Sequence, residues 1–231
     1  MNDCLDTFKA QTVTEILDYL CPFLVHAGRY AAAVQPRIQT LPDKGDGRNP
    51  FFDALTEADL SVQCFCEVAL LSRFPEVRFF GEECAHSLNT KYFNPHSDLC
   101  VYLDPIDGTR YFRDGFSRFN IIATVTDRRR ILGAACFIPR FDRFFRAELG
   151  RPAFEAAGDE AARGFWPRRF APRADNKIII THALPEVSAL CGADFEVVDV
   201  ARDYERRPDC PSLNAVLLGE AAAVIGRDCG L

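Results

Sequence analysis

Leu99-Cys100-Val101-Tyr102-Leu103, followed at once by Asp104-Pro105-Ile106-Asp107-Gly108-Thr109, is a short apolar run that ends in an acidic turn. A run of that length, almost continuously apolar and bounded by turn residues, reads as a buried strand. Carboxylates just past a strand's C-terminal end are where open α/β sheets place their ligand sites. Pro105 is expected to stop the strand and turn Asp104 and Asp107 toward one side. Gly108 and Thr109 then begin a helical turn whose free N–H groups face outward, a ready anion site.

The same arrangement recurs upstream. Val77 to Phe80 is a second short apolar run, and it too ends in acid, at Gly81-Glu82-Glu83. Before it, a helix is expected from about Glu57 to Arg73, stopped by Pro75, with Asp53-Ala54-Leu55-Thr56-Glu57-Ala58-Asp59 at its entry. Leu5 to Val34 has helical periodicity with a polar stripe of Lys9, Gln11, Glu15 and Asp18, ending before Pro36; Pro22 either kinks this helix or splits it. Gln35 to Pro50, rich in Pro, Gly and charge, reads as a long loop or a twisted hairpin, and as either a plain connection or an active-site lid.

Downstream, Phe119 to Thr126, Ile131 to Ile138 and Arg143 to Glu148 are strand-like, separated by turns at Asp127 to Arg130 and Pro139 to Asp142. That pattern predicts an antiparallel meander. The Gly, Pro and Arg-rich stretch Arg163 to Arg173 marks a boundary between sub-domains, placed at 1–160 and 174–231. After it come a strand (Lys177 to Thr181), a helix (Pro185 to Cys191), a strand (Phe195 to Val200) and a helix (Pro211 to Val224). The class is mixed α/β.

Composition narrows the function. Of 231 residues, 48% are hydrophobic and 26% charged, which excludes a disordered tail, a collagen-like rod and a simple coiled coil. No stretch approaches the roughly 18 uninterrupted apolar residues of a membrane span. Asp3, Asp6 and Lys9 interrupt the N-terminus, which does not read as a secretory signal, so a cytoplasmic location is expected. A net charge of −6 argues against a general binder of nucleic acid or membrane. The ten cysteines form no CxxC pair and the four histidines no HExxH motif, so the cysteines read as mostly reduced, small core residues. Trp166, Phe79, Phe80, Phe144 and Phe145 are read as core, and Arg128-Arg129-Arg130 as a solvated turn.

Taken singly, the acidic clusters are bland. Asp-Pro-x-Asp-Gly is ordinary turn chemistry, and Asp-x-x-Thr-x-x-Asp is a usual helix N-cap. Together, each at the end of a predicted element, they imply a shared site, because converging carboxylates repel unless a cation sits among them. Hard oxygen donors without a thiol or imidazole pattern suit Mg²⁺ better than Zn²⁺. A cation site beside an anion cradle is the minimal equipment for metal-assisted hydrolysis of a phosphate ester.

On these motifs the chain resembles the inositol monophosphatase family of Mg²⁺-dependent, lithium-sensitive phosphatases. The matching stretches are DPIDGT at Asp104–Thr109, GEE at Gly81–Glu83 and DALTEAD at Asp53–Asp59, in family order, with Ser212 to Gly226 similar to the family's later helix and strand. The resemblance implies a layered α-β-α-β-α sandwich of the sugar-phosphatase type. It also implies that Glu82, Asp104 and the Ile106 carbonyl hold a first Mg²⁺, and that Asp104 bridges to a second shared with Asp107. Gly108 and Thr109 N–H groups would take phosphate oxygens, while the Thr109 hydroxyl and Asp53, with Glu82 near, orient and deprotonate the attacking water. Lys44 is similar in place to the basic residue of the family's mobile loop.

The expected partner is a small phosphorylated substrate, with no nucleic acid and no membrane; a homodimer is left open. The family also carries a Trp-Asp pair whose Asp completes the second metal site. Here the only Trp is Trp166, followed by Pro167, and Arg227 to Leu231 fall where the pair should begin, so the sequence reads as truncated at its C-terminus. The alternative is therefore a non-catalytic remnant acting as a binding or regulatory module.

Overall fold

In a computed structural model of the chain, residues 2–38, 56–173, 177–206 and 210–226 are described. The chain divides into two compact units, Met1–Phe170 and Ala171–Leu231.

The first unit is a seven-stranded sheet carrying two long helices on one face. Helix α1 (Asn2–Val34) runs through Pro22 without splitting, and α2 spans Glu57–Arg73. The strands are β1 (Arg78–Gly81), β2 (Cys100–Asp107), β3 (Asn120–Thr126), β4 (Ile131–Ile138), β5 (Arg143–Glu148), β6 (Phe154–Ala157) and β7 (Arg168–Arg169), in spatial order β1-β2-β3-β4-β5-β6-β7. Only β1 and β2 pair in parallel; from β2 onward every pairing is antiparallel, so β3 to β5 form the expected meander. Strand periodicity explains the burial. Leu103, Ile121, Ala123, Val125, Phe137 and Phe144 point to one face and form the core with Ile16, Leu17, Leu20 and Leu24 of α1 and Val62, Cys66 and Leu70 of α2.

Three expectations need correction. Pro105 does not end β2. The strand continues to Asp107, with Asp104 opposite Ile122 and Asp107 opposite Asn120, so β2 carries one extra residue in a bulge. Proline is tolerated in a strand at such a bulge, where it removes no ladder hydrogen bond. Within the Arg163 to Arg173 stretch β7 pairs with β6, and the short helix α4 (Gly158–Ala162) precedes it. Phe80 is 44% exposed, on the sheet face opposite the one that buries Phe79 at 6%. The helix expected over Pro211 to Val224 is instead a 3-10 turn at Leu213–Ala215 followed by a strand at Ala223–Ile225.

The second unit holds a parallel three-stranded sheet. Its strands are β8 (Ile178–Thr181), β9 (Glu196–Asp199) and β10 (Ala223–Ile225), in order β10-β8-β9, with helix α5 (Pro185–Cys191) between β8 and β9. Cys21, Cys64, Cys66, Cys84, Cys100, Cys136, Cys191 and Cys210 are free thiols. Cys21, Cys66, Cys100, Cys136 and Cys210 are buried, while Cys64 and Cys84 are exposed. Burial pushes the Cys21 and Cys66 thiols up to about 12, so both stay neutral at physiological pH. Trp166 packs edge-on to Phe144, with ring centroids 5.6 Å apart, against the core. Among the described residues no helix is long and apolar enough to cross a membrane.

Candidate active site

Three devices gather the carboxylates named from sequence. The first is a buried polar stripe on α2. Asp59, Gln63 and Glu67 lie at i, i+4 and i+8, one above another on a single helix face, and their exposures are 0%, 3% and 1%. Buried polar groups need partners, and each of these holds a different part of the site. Asp59 Oδ2 accepts from the Thr56 backbone N–H (2.8 Å) and hydroxyl (2.5 Å), closing the capping box that starts α2. Gln63 Oε1 accepts the Glu83 N–H at 2.8 Å. Glu67 Oε1 accepts the Ser87 and Thr90 hydroxyls at 2.5 and 2.9 Å. The segment leaving β1 with Glu82 is thus pinned on both sides of that residue, because the Glu82 N–H also donates to Leu103 O at 3.0 Å.

Gly81 precedes Glu82, and a Cβ there would fall on the Gln63 side-chain amide. Gly81→Ala is therefore expected to push Gln63 off the Glu83 N–H and to cost roughly 1–3 kcal/mol of stability, read as a lower midpoint in urea unfolding against wild type.

The second device is the bulge and the turn after it. Gly108 has φ +88°, a left-handed conformation that glycine adopts freely, and a Cβ there would sit 2.8 Å from the Arg118 carbonyl oxygen. This turn delivers the chain into α3 (Thr109–Arg113). The Thr109 hydroxyl lies 2.9 Å from Ile106 O and 3.1 Å from Asp59 Oδ1. The third device is Gln35, 7% exposed, whose amide donates to Phe112 O and Phe116 O at 2.9 Å each and accepts from Arg140. It fixes the segment after α3 to the end of α1.

The electrostatics follow from this crowding. Burial raises the Asp104 carboxyl well above its ordinary 3.8, and the charges of Glu82 and Asp107, a hydrogen bond to Glu82 and the charge of Asp59 add to the rise. Asp104 Oδ1 is buried without a hydrogen-bond partner among the described residues. Asp107 is raised to about 6, chiefly by burial, against a hydrogen bond from Asn120 that favours the ionised form. Asn120 Nδ2 donates to Asp107 Oδ2 at 2.5 Å.

Glu82, Asp104, Asp107, Ile106 and Thr109 thus lie close together, whereas Asp53 and Lys44, with most of the Gln35 to Pro50 stretch, lie outside the described residues. Two residues the sequence reading passed over belong to the group. Asp59 meets Thr109, and its place three residues after Thr56 in the quoted DALTEAD run was the signal for it. Asn120 had no sequence signal beyond being an Asn at the head of an otherwise apolar strand. Among the described residues, no group of three or more His, Cys, Asp and Glu side chains is arranged as a metal-holding cluster. The donor set nevertheless fits Mg²⁺: it consists of hard oxygens, it includes the orphaned Asp104 Oδ1, and its like charges are close enough to hold protons.

The fold is mixed α/β, a central sheet carrying helices. The chain belongs to the inositol monophosphatase family, whose model matches residues 23–182. It is 32% identical over 106 residues to "Quinic acid degradation cluster protein x" of Neurospora crassa, a match covering 44% of this chain and 31% of that protein. It is 28% identical over 102 residues to an inositol monophosphatase of Dictyostelium discoideum, covering 44% of this chain and 36% of that protein. The matched stretch therefore spans about a third of each relative's length. A solved IMPase/NADP phosphatase in complex with Mg²⁺ and phosphate shares the fold at a TM-score of 0.62 and 20% identity, over 94% of this chain and 76% of that one.

Proposed function

We propose that the chain hydrolyses a small phosphate monoester, such as inositol 1-phosphate, in a Mg²⁺-dependent and lithium-sensitive reaction. The observation that supports this reading is the crowding of Asp104 by the charges of Glu82 and Asp107 near the Thr109 turn, a carboxylate repulsion that a divalent cation would relieve. Membership of the family supports it.

Glu82, Asp104, Asp107 and the Ile106 carbonyl would hold Mg²⁺, which supplies Lewis-acid chemistry, acidifying water and stabilising charge on the leaving oxygen. The backbone N–H groups of Gly108 and Thr109 bind phosphate oxygens. The Thr109 hydroxyl orients the attacking water, and Asp59 Oδ1, 3.1 Å from that hydroxyl, receives the proton. Asp59 is given this role on its direct contact with Thr109, while Asp53 lies outside the described residues.

The test is phosphate release from inositol 1-phosphate and a panel of sugar and nucleotide phosphates, with Mg²⁺ titrated from zero. Turnover is expected only with the metal, and added Li⁺ is expected to suppress it. A folded chain that releases phosphate from none of them would be a non-catalytic binding module.

A further inference from the structure

We propose that Asn120 is a positioning residue for Asp107, aiming that carboxylate's free oxygen into the cation site. The inference rests on the metal reading above and deepens it.

Asparagine is a poor strand former, and β3 otherwise reads Ile121-Ile122-Ala123-Thr124-Val125-Thr126. Asn120 is nevertheless 2% exposed at the head of that strand, where burying an amide is costly unless its donors and acceptor are satisfied. The β2 bulge places it opposite Asp107, because pairing passes from Asp104–Ile122 to Asp107–Asn120. With a regular ladder and no extra residue in β2, Ile106 rather than Asp107 would have faced Asn120. The bulge and the amide thus act as one device, with Nδ2 gripping Oδ2 at 2.5 Å. A carboxylate held by one oxygen keeps the other in a set direction, as outer hydrogen-bond donors commonly do for metal-ligating groups. The other carboxylates of the cluster differ: Asp104 hydrogen-bonds to Glu82, and Asp59 is held by Thr56.

The test uses the full chain stripped of metal and titrated with Mn²⁺, followed by loss of the free-ion EPR signal, with the thermal midpoint in chelator measured alongside. Asn120→Leu, which matches the amide in size without a donor, is expected to weaken Mn²⁺ binding about 10–100-fold. Asn120→Ala reads the same quantity should the leucine fail to fold. In an Asp107→Asn background the Asn120 change is expected to add less than about twofold, because its only route to the metal has gone. Two outcomes overturn the proposal while leaving the metal reading intact. One is a wild type that binds Mn²⁺ and Asn120 variants that bind within twofold of it, whatever their thermal midpoint. The other is a full loss from Asn120→Leu on top of Asp107→Asn. A folded wild type that binds no Mn²⁺ overturns the metal reading and this inference with it.

Discussion

Asp104→Asn is expected to lower phosphate release on the order of 10³-fold and, in chelator at pH 7, to make the protein more stable. The two effects have one cause. Asp104 stands among Glu82, Asp107 and Asp59, and its Oδ1 is buried without a hydrogen-bond partner among the described residues. Its charge is useful only when a cation is bound. The sign follows from linkage. A carboxyl whose pKa is higher folded than unfolded binds more protons in the native state, so its ionisation costs native stability as pH rises through that window.

For Asp107 the window runs from 3.8 to about 6, a cost of roughly 3 kcal/mol once passed. Asp104 is displaced in the same direction. Asn cannot ionise, so in metal-free thermal melts between pH 4 and pH 7 the gap between variant and wild type should widen in the variant's favour. It should reach several degrees, taking about 2–4 °C per kcal/mol for a chain of this size. Mg²⁺ should close the gap by stabilising wild type alone. A variant no more stable than wild type at pH 7 in chelator would mean that Asp104 is not under carboxylate pressure.

How much of this was readable in the amino-acid order depends on whether a residue's partner is local. The meander was legible because strand periodicity and turn residues are local signals, and β3, β4 and β5 lie within a residue of where they were expected. The turn at Gly108 that leads into the helical turn at Thr109 was legible for the same reason. Helix α2 shows the limit. Its bounds were read correctly, but its burial runs against the rule that apolar residues face inward: Asp59, Gln63 and Glu67 are buried while Phe65 and Val68 are 44% and 47% exposed. That inversion arises because the stripe bonds to Thr109, the Glu83 N–H and Ser87, all distant in sequence. The Pro105 bulge was missed likewise, since proline forbids a strand only where a ladder bond needs its N–H. Over Pro211 to Val224, a run of small apolar residues fits helix and buried strand alike, and the strand pairing of Ala223–Ile225 with β8 decided part of it.

Thr109→Val and Asp59→Asn are each expected to lower kcat about 10²–10⁴-fold, and the double variant to be little worse than either single one. Two groups acting in one proton path fail together, so their losses do not multiply. The pairing rests on the 3.1 Å approach of the Thr109 hydroxyl to Asp59 Oδ1. Thr109→Ser keeps the hydroxyl and should restore most of the activity. A purely structural account is available for Asp59, because its other oxygen closes the α2 capping box with Thr56. Thr56→Ala separates the two. It removes the hydroxyl half of the cap and should cost about 1 kcal/mol of stability while leaving kcat within a few-fold, since Oδ1 still faces Thr109. If Thr56→Ala instead lowered kcat as far as Asp59→Asn, or if the losses from Asp59→Asn and Thr109→Val multiplied, Asp59 would be a helix cap that happens to lie beside the site, and the proton would have to leave by another group.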